Sequence, residues 1–396
     1  MGLAYKKRAL EKKIEKLWNE KEIIIIKGPR QAGKTTLMKY LNEKYGGSYY
    51  TLEDDDVLMT FDRNPELLVD NETIFIDEVQ LSEFAGKKIK RLYDKFEGKV
   101  KFVMSGSGAF DIAREVGASL VGRAFFLTLL PLSFEEFLSW SDEFSLRIFN
   151  ENKKNFLSFI KEGKDISPVG GWEGLREFAN EYMIWGGYPA VVLSKDREIK
   201  REKLKNIVEL TIERDLVRLF SLQDIGRMKK FVKTLSSLTG RLLNFSNLGV
   251  DFKTAEKYIG VLEHSQIISL IEPFYKNERT VLKKAKKLYF YDLGFRNAIL
   301  NNFTDIESRE NSGFLIENFV MRQLIENFEI RYWRTTGKTE VDFVIEAPLF
   351  GIEVKSAFTR KVRGLKSFIK KYNSKGIVLC DRFSKEEILY YPFWLI

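Results

Sequence analysis

The segment Gly28-Pro29-Arg30-Gln31-Ala32-Gly33-Lys34-Thr35, entered directly from the β-branched run Ile23 to Ile26, leaves this chain few architectures. Consecutive isoleucines suit a strand covered on both faces, which is the situation in a parallel sheet flanked by helices. Gly28 and Gly33 let the backbone turn its N–H groups inward. A helix predicted over 34–45 aims the positive end of its dipole at the same point. The loop is therefore a cradle for phosphate oxygens, with Pro29, Arg30, Gln31 and Ala32 supplying backbone and Thr36 completing it. Lys34 is placed to reach the β- and γ-phosphates of a nucleotide, and the Thr35 hydroxyl to ligate Mg²⁺. ATP and Mg²⁺ are the cofactors expected.

A second buried strand, 73–76, runs into Asp77 and Glu78. A carboxylate at the tip of a hydrophobic strand is the expected second anchor for magnesium, and its neighbour Glu78 is placed to polarise the attacking water. That adjacent pair favours hydrolysis over transfer to another acceptor. A third strand, 100–104, ends at Ser105, Gly106 and Ser107. Ser105 is the preferred candidate for contact with the γ-phosphate or the water, the alternative being a plain turn. Arg123 is a candidate to neutralise transition-state charge, in its own subunit or a neighbour's, with Arg114 a weaker one; a surface arginine is the alternative for both. Strands alternating with helical stretches give a doubly wound α/β sheet that closes near 131–138.

Beyond that point the chain changes character. Residues 140–235 read as helices broken at Pro168–Gly171 and at Gly186-Gly187-Tyr188-Pro189; 229–272 read as three helices and an extended segment. From 286 onward strands alternate with helices again, at 288–291, 330–334, 341–346, 350–355 and 376–380. Charge divides at the same place. Residues 1–150 hold 23 Lys+Arg against 24 Asp+Glu, so the net charge of +9 arises in 151–396, with 42 against 32. A basic module beside a neutral one suits a polyanionic partner such as nucleic acid, or is simply the solvated lysine-rich surface of a thermophilic protein. One cysteine and one histidine exclude an internal disulfide, a cysteine zinc cage and histidine-based triads. Cys380 reads as a buried strand residue and His264 as a helix-end residue. No apolar run approaches the roughly 18 residues that suggest a membrane span. The stretch from Met1 to Leu17 is too charged for a secretory signal, so a cytoplasmic setting without membrane is expected.

The words GPRQAGKTT at 28–36, IFIDEVQ at 74–80, SGSGAF at 105–110, LVGR at 120–123 and PLSFEEF at 131–137 occur in that order. They are followed by GGYP at 186–189, IERDL at 212–216, LYFYDLG at 288–294, EVDFVIE at 340–346 and IEVK at 352–355. With these words the chain resembles, over nearly its whole length, the archaeal and bacterial AAA-type ATPases that carry a C-terminal restriction-endonuclease-like domain. The resemblance implies an AAA-type core, a winged helix and a nuclease-like fold, with connections to DNA or mobile elements.

The expected organisation is a P-loop ATPase domain over 1–140, a helical lid or linker over 141–235, a winged helix-turn-helix over 236–280 and a small α/β domain over 281–396. In the third segment, Leu248, a turn at 249–251, and Ala255, Tyr258, Ile259 and Leu262 on one face fit a helix-turn-helix, with Asp251 or Thr254 as cap. Lys253, Thr254 and Lys257 would face outward to phosphates, and a wing would begin at 267–270. Lys283, Lys284, Lys286 and Lys287 are either a phosphate-contacting stripe or a solvated loop. DNA, met through 244–287 and the C-terminal domain, is the partner expected; homo-oligomerisation is left open.

In the C-terminal segment Glu353 and Lys355 share one face of a strand, and Asp342 meets them across a hairpin. This is the D…ExK arrangement of restriction-type nucleases, with Glu317 as a third carboxylate. Asp342, Glu353 and Glu317 are candidate ligands of Mg²⁺, and Lys355 the candidate to orient or deprotonate water. The competing reading is a nuclease-like fold used only for binding. A second reading of the whole chain is an ATP-controlled switch or scaffold for protein partners.

Overall fold

The computed structural model describes residues 5–106, 120–216, 224–275 and 284–396, with the side chains of 214–216 outside the description. Ser107, Arg114, Lys283 and most of the 105–110 segment lie outside it.

The first body is a five-stranded parallel sheet. Its strands are β1 (Ile23–Lys27), β2 (Ser48–Thr51), β3 (Thr73–Asp77), β4 (Lys101–Gly106) and β5 (Ala124–Thr128), in the spatial order β2-β3-β4-β1-β5. The helices are α1 (Leu10–Leu17), α2 (Lys34–Tyr45), α3 (Asp55–Arg63) and α4 (Ala85–Phe96). The pleat of β1 explains the isoleucine run. Ile24 and Ile26 enter a core with Ile14, Leu37, Met38 and Leu41, whereas Ile23 and Ile25 enter another with Phe61, Ile89 and Leu92. Each fully buried isoleucine contributes about 1.5–3 kcal/mol, so neither face tolerates a polar residue. The half-buried β2 (SYYT) carries no such continuous run, and β5 (AFFLT), apolar but without β-branched residues before Thr128, does not read as a strand from sequence either.

From Ser133, whose hydroxyl and Glu136 form a reciprocal capping box, the chain becomes helical. It runs through α5 (Phe134–Ser141), α6 (Glu143–Glu162), α7 (Leu175–Trp185) and α8 (Arg197–Leu210), then α9 (Ile225–Ser237) and α10 (Phe252–His264). Between α9 and α10 the expected middle helix is only the single 3₁₀ turn Phe245–Asn247. Asp251 caps α10, accepting from the Thr254 amide and hydroxyl, so the half-exposed Thr254 hydroxyl is engaged in the cap. The strand β6 (Ile268–Ile271) pairs antiparallel with β7 (Lys287–Phe290). The expected boundary at 280/281 therefore runs between two strands of one hairpin.

After α11 (Leu293–Ile299) and α12 (Ser312–Leu324) comes a six-stranded mixed sheet. Its strands are β8 (Ile330–Arg334), β9 (Glu340–Glu346), β10 (Leu349–Val354), β11 (Lys375–Cys380), β12 (Ser384–Lys385) and β13 (Leu389–Pro392), in the order β12-β13-β11-β10-β9-β8. A helix, α13 (Arg363–Tyr372), crosses from β10 to its parallel neighbour β11. One buried cluster runs from Phe134 to Ile396 and joins α5–α12, the β6–β7 hairpin and one face of this sheet; α13 packs on the other face. The chain is thus an α/β P-loop sheet, a helical region and a small C-terminal sheet domain, the last two sharing a core.

Candidate active site

The phosphate loop leaves β1 at Lys27 and closes on Gly33, which caps α2 in the left-handed region at φ 99°. That conformation carries a steric penalty for any residue with a Cβ. Gly28 is required for a different reason: a Cβ there would lie 2.1 Å from the Leu129 carbonyl oxygen, where the chain leaving β5 passes the loop. Lys34 is buried and its ammonium donates to the carbonyls of Gly28 and Pro29 at 2.9 and 3.0 Å. It therefore lies across the mouth of the loop, where phosphate oxygens would replace the two carbonyls with stronger, charge-assisted partners.

Asp77 is buried at the tip of β3, and its carboxylate gathers hydroxyls. Thr35 donates to Oδ2 at 2.7 Å and Tyr49 to the same oxygen at 2.8 Å; Ser105 donates to Oδ1. The Glu78 amide also reaches Oδ1, at 3.1 Å. Burial and the Asp77 hydrogen bond raise the Tyr49 hydroxyl well above its ordinary range, so it stays a donor. Thr35 and Asp77, both oxygen donors and in direct contact, fit a magnesium ion shared with nucleotide phosphates. Glu78 sits at φ 58°, a sparsely populated conformation for a residue with a side chain, and its carboxylate takes a hydrogen bond from the Gln80 side-chain Nε2. Thr36 lies exposed in the first turn of α2.

Two expectations need correction. Ser105 does not face the phosphate: its side chain is fully buried and engaged with Asp77, so it orients the carboxylate. Arg123 is not at the loop of its own chain. It lies at the N-terminal end of β5, its carbonyl bonded to the Ile23 amide, and it pairs with Asp94 at 2.9 Å. The phosphate loop is at the other end of these five-residue strands, about 16 Å away at the usual strand rise.

The sequence reading missed Arg8 and Tyr49. Arg8 is buried and donates to the Ala32 carbonyl inside the loop at 2.7 Å, to the Leu130 carbonyl at 2.7 Å and to Glu136 at 3.0 Å. Burial alone would raise the Glu136 carboxyl; the Arg8 guanidinium and the amides of Ala9 and Ser133 outweigh it and hold the group low. Nothing local marks Arg8 among the other N-terminal cations, because its side-chain partners lie 24 residues away at Ala32 and more than 100 away at Leu130 and Glu136. Pro189 of the GGYP segment also approaches the loop, its Cγ 3.7 Å from where a Cβ on Gly33 would be.

The C-terminal carboxylates are brought together but do not hold an open cation site. The buried Lys287 ammonium contacts Glu317 at 2.8 Å, Glu340 at 2.5 Å and Asp342 at 3.3 Å. Tyr289 adds a hydroxyl to Glu317 at 2.5 Å. Glu353 pairs with Lys355 at 2.7 Å, while the other oxygen of Asp342 accepts from the Val354 amide. Burial, then the charge of Asp342, pushes the carboxyls of Glu317 and Glu353 up to about 7. Among the described residues no three His, Cys, Asp or Glu side chains are arranged to hold a metal ion. The expectation of Glu317, Asp342 and Glu353 as ligands is corrected accordingly: the oxygens of Glu317 and Asp342 converge on a lysine. The expected lysine stripe changes with it, since Lys287 is buried and Lys286 pairs with Glu272 at 2.9 Å.

Comparison with known proteins divides the chain in the same way. Residues 20–138 match the AAA domain family, 176–306 a domain of unknown function (DUF8612) and 312–392 another (DUF4143). The second match contains the whole β6–β7 hairpin. An uncharacterized protein of Methanocaldococcus jannaschii is 26% identical across all of this chain and 92% of its own length. One of Mycobacterium tuberculosis is 23% identical over 86% of this chain and 71% of its own. A solved Walker-type ATPase of Pyrococcus abyssi aligns with a TM-score of 0.44 at 11% identity, covering 73% of this chain and 94% of that one. The sheet order, the loop and its strand-tip carboxylates, with the AAA match over the same residues, define a P-loop ATPase of AAA type, an ATP hydrolase.

Proposed function

We propose that this chain is a Mg²⁺-dependent ATPase that acts on DNA, docking through the helix-turn-helix and its hairpin used as a winged helix. The observation that carries the reading is the distribution of exposed cations. Arg227, Lys230 and Lys233 on α9, and Lys253 and Lys257 on α10, are all exposed, beside an exposed Phe252. Cations spread over adjacent helices suit the phosphates of a duplex, which they position without reading sequence.

In the proposed reaction Lys34 and the loop amides hold the β- and γ-phosphates, and Thr35 and Asp77 hold the magnesium ion. Bound magnesium supplies charge neutralisation on the phosphate oxygens. Glu78 orients a water toward the γ-phosphorus and takes its proton as the bond to the β-phosphate oxygen breaks. Tyr49 and Ser105 keep Asp77 oriented. Arg123, at the far edge of the sheet, serves an ATP site only in a neighbouring subunit, which makes a homo-oligomer part of the proposal. Lys355 has no part in this reading, because its ammonium is engaged by Glu353.

The test is duplex binding by fluorescence anisotropy across a salt series, with ATPase rate measured in the same samples. Five phosphate-neutralising cations predict that log affinity falls against log salt with a slope of about −4.5. Binding without a salt slope, or no binding, would favour the ATP-controlled switch for protein partners.

A further inference from the structure

We propose that Lys287 has taken the place of a divalent cation in the C-terminal carboxylate cluster, as a permanent built-in counter-ion that bars metal-dependent chemistry there. Three oxygens, Glu317 Oε1, Glu340 Oε1 and Asp342 Oδ1, converge on one ammonium nitrogen. Hard oxygen donors from α12 and β9, meeting at one point, are the ligand chemistry a magnesium or manganese ion would require. The point is already occupied by a charge that is covalently part of the chain. A metal ion brought beside a retained ammonium, at hydrogen-bond distance and away from water, would meet strong repulsion.

The lysine is also not free to swing out. It belongs to β7, whose next three residues, Leu288, Tyr289 and Phe290, are fully buried. The backbone around it is bonded on both sides: Lys286 accepts from the Leu243 amide at 2.8 Å, Leu288 donates to Arg241 at 3.1 Å and accepts from Gly240 at 2.7 Å. A gate that opened would need a hydrated, loosely held segment, whereas this one is the inner strand of a packed hairpin. The cluster consequently works as an internal clasp. It fastens the β6–β7 hairpin, which precedes the C-terminal sheet, to α12 and β9 of that sheet. The inference does not rest on DNA binding or on the ATP site.

The experiment uses the full-length chain without nucleotide, so that the phosphate loop contributes no metal site. Manganese binding is followed by titration calorimetry and electron paramagnetic resonance, and melting is followed in EDTA and in Mn²⁺. The wild type is expected to melt at the same temperature in both and to bind no Mn²⁺ that Asp342→Asn removes. Lys287→Met vacates the position and is expected to gain one Mn²⁺ per chain, with affinity at least about tenfold above the wild type and a melting point raised by the metal. Asp342→Asn in that background abolishes the gain, and Lys287→Arg, which keeps the charge, behaves as wild type. If Lys287→Met does not fold in EDTA, recovery of folding by Mn²⁺ is the supporting result and failure to recover counts against the proposal. A wild-type Mn²⁺ site lost in Asp342→Asn, or a folded Lys287→Met indifferent to Mn²⁺, overturns it.

Discussion

Asp77 receives three hydroxyl hydrogen bonds and one amide, so its orientation is set before any ligand arrives. Glu78, next in the chain, has its carboxylate on the Gln80 side-chain Nε2. The two neighbours therefore have separable roles, one binding and one activating water. Glu78→Gln is expected to keep ATP affinity within a few-fold while slowing turnover by about 10²-fold or more, the range of general-base removal. Lys34→Ala is expected to lose nucleotide binding itself, as read by equilibrium binding of a labelled ATP analogue. Asp292 offers a pH test. It caps α11, accepting from the Phe295 and Gly187 amides, and burial outweighs those donors to push its carboxyl up to about 6. A carboxyl raised by folding holds its proton longer in the native state. Its contribution is complete below the ordinary carboxylate range and is lost as pH rises through 6, up to about 3 kcal/mol for a shift of this size. Asp292→Asn has no such loss. The stability difference between wild type and variant, measured by urea denaturation, should favour the wild type more at pH 4 than at pH 8.

The elements differ in how much of themselves they announce. The strands β1 and β3 and the helix α2 are legible because each is defined by its own residues: a continuous apolar run, or a glycine turn followed by helix formers. The strands β7 to β11 likewise fall within about one residue of their expected limits, whereas β12 and β13 are absent from the sequence reading. By contrast β2 is half-buried throughout, and its pairing with β3 makes it a strand. Between α9 and α10 a predicted helix shrinks to one 3₁₀ turn, because Asn244 caps it and Gly249 and Asp251 follow at once. The phosphate loop is also braced from outside, by Arg8 ahead of α1. Arg8→Met would leave Glu136 buried without its cation and is expected to cost about 3–5 kcal/mol. The double variant with Glu136→Gln should recover part of that, a coupling measurable in a double-mutant cycle of melting data.

At the scale of the molecule, the P-loop sheet has its own two cores, whereas most of the chain after Ser133 shares another, with a smaller one under α13 on the far face of the C-terminal sheet. Calorimetry is therefore expected to resolve two unfolding transitions, with a non-hydrolysable ATP analogue and Mg²⁺ raising the one that belongs to residues before about 130. One transition that moves as a unit would contradict this division. The shared core also bears on the expected boundary near 280: Lys287, expected in a phosphate-contacting stripe or a solvated loop, is held inward by three carboxylates in the second strand of the hairpin. Among the described residues no helix is long and apolar enough to cross a membrane.

The sequence by itself determined the phosphate loop, the strand-tip pair Asp77–Glu78 and the α/β class, since these depend on contacts between near neighbours and on the period of apolar residues. Tertiary structure alone decided that Ser105 orients Asp77, that Arg123 stands at the far edge of the sheet, that Arg8 braces the loop and that a lysine sits where the distal carboxylates meet. Each of those depends on which distant groups share a small, dry volume, and there a charge or hydroxyl must find a partner wherever the fold supplies one.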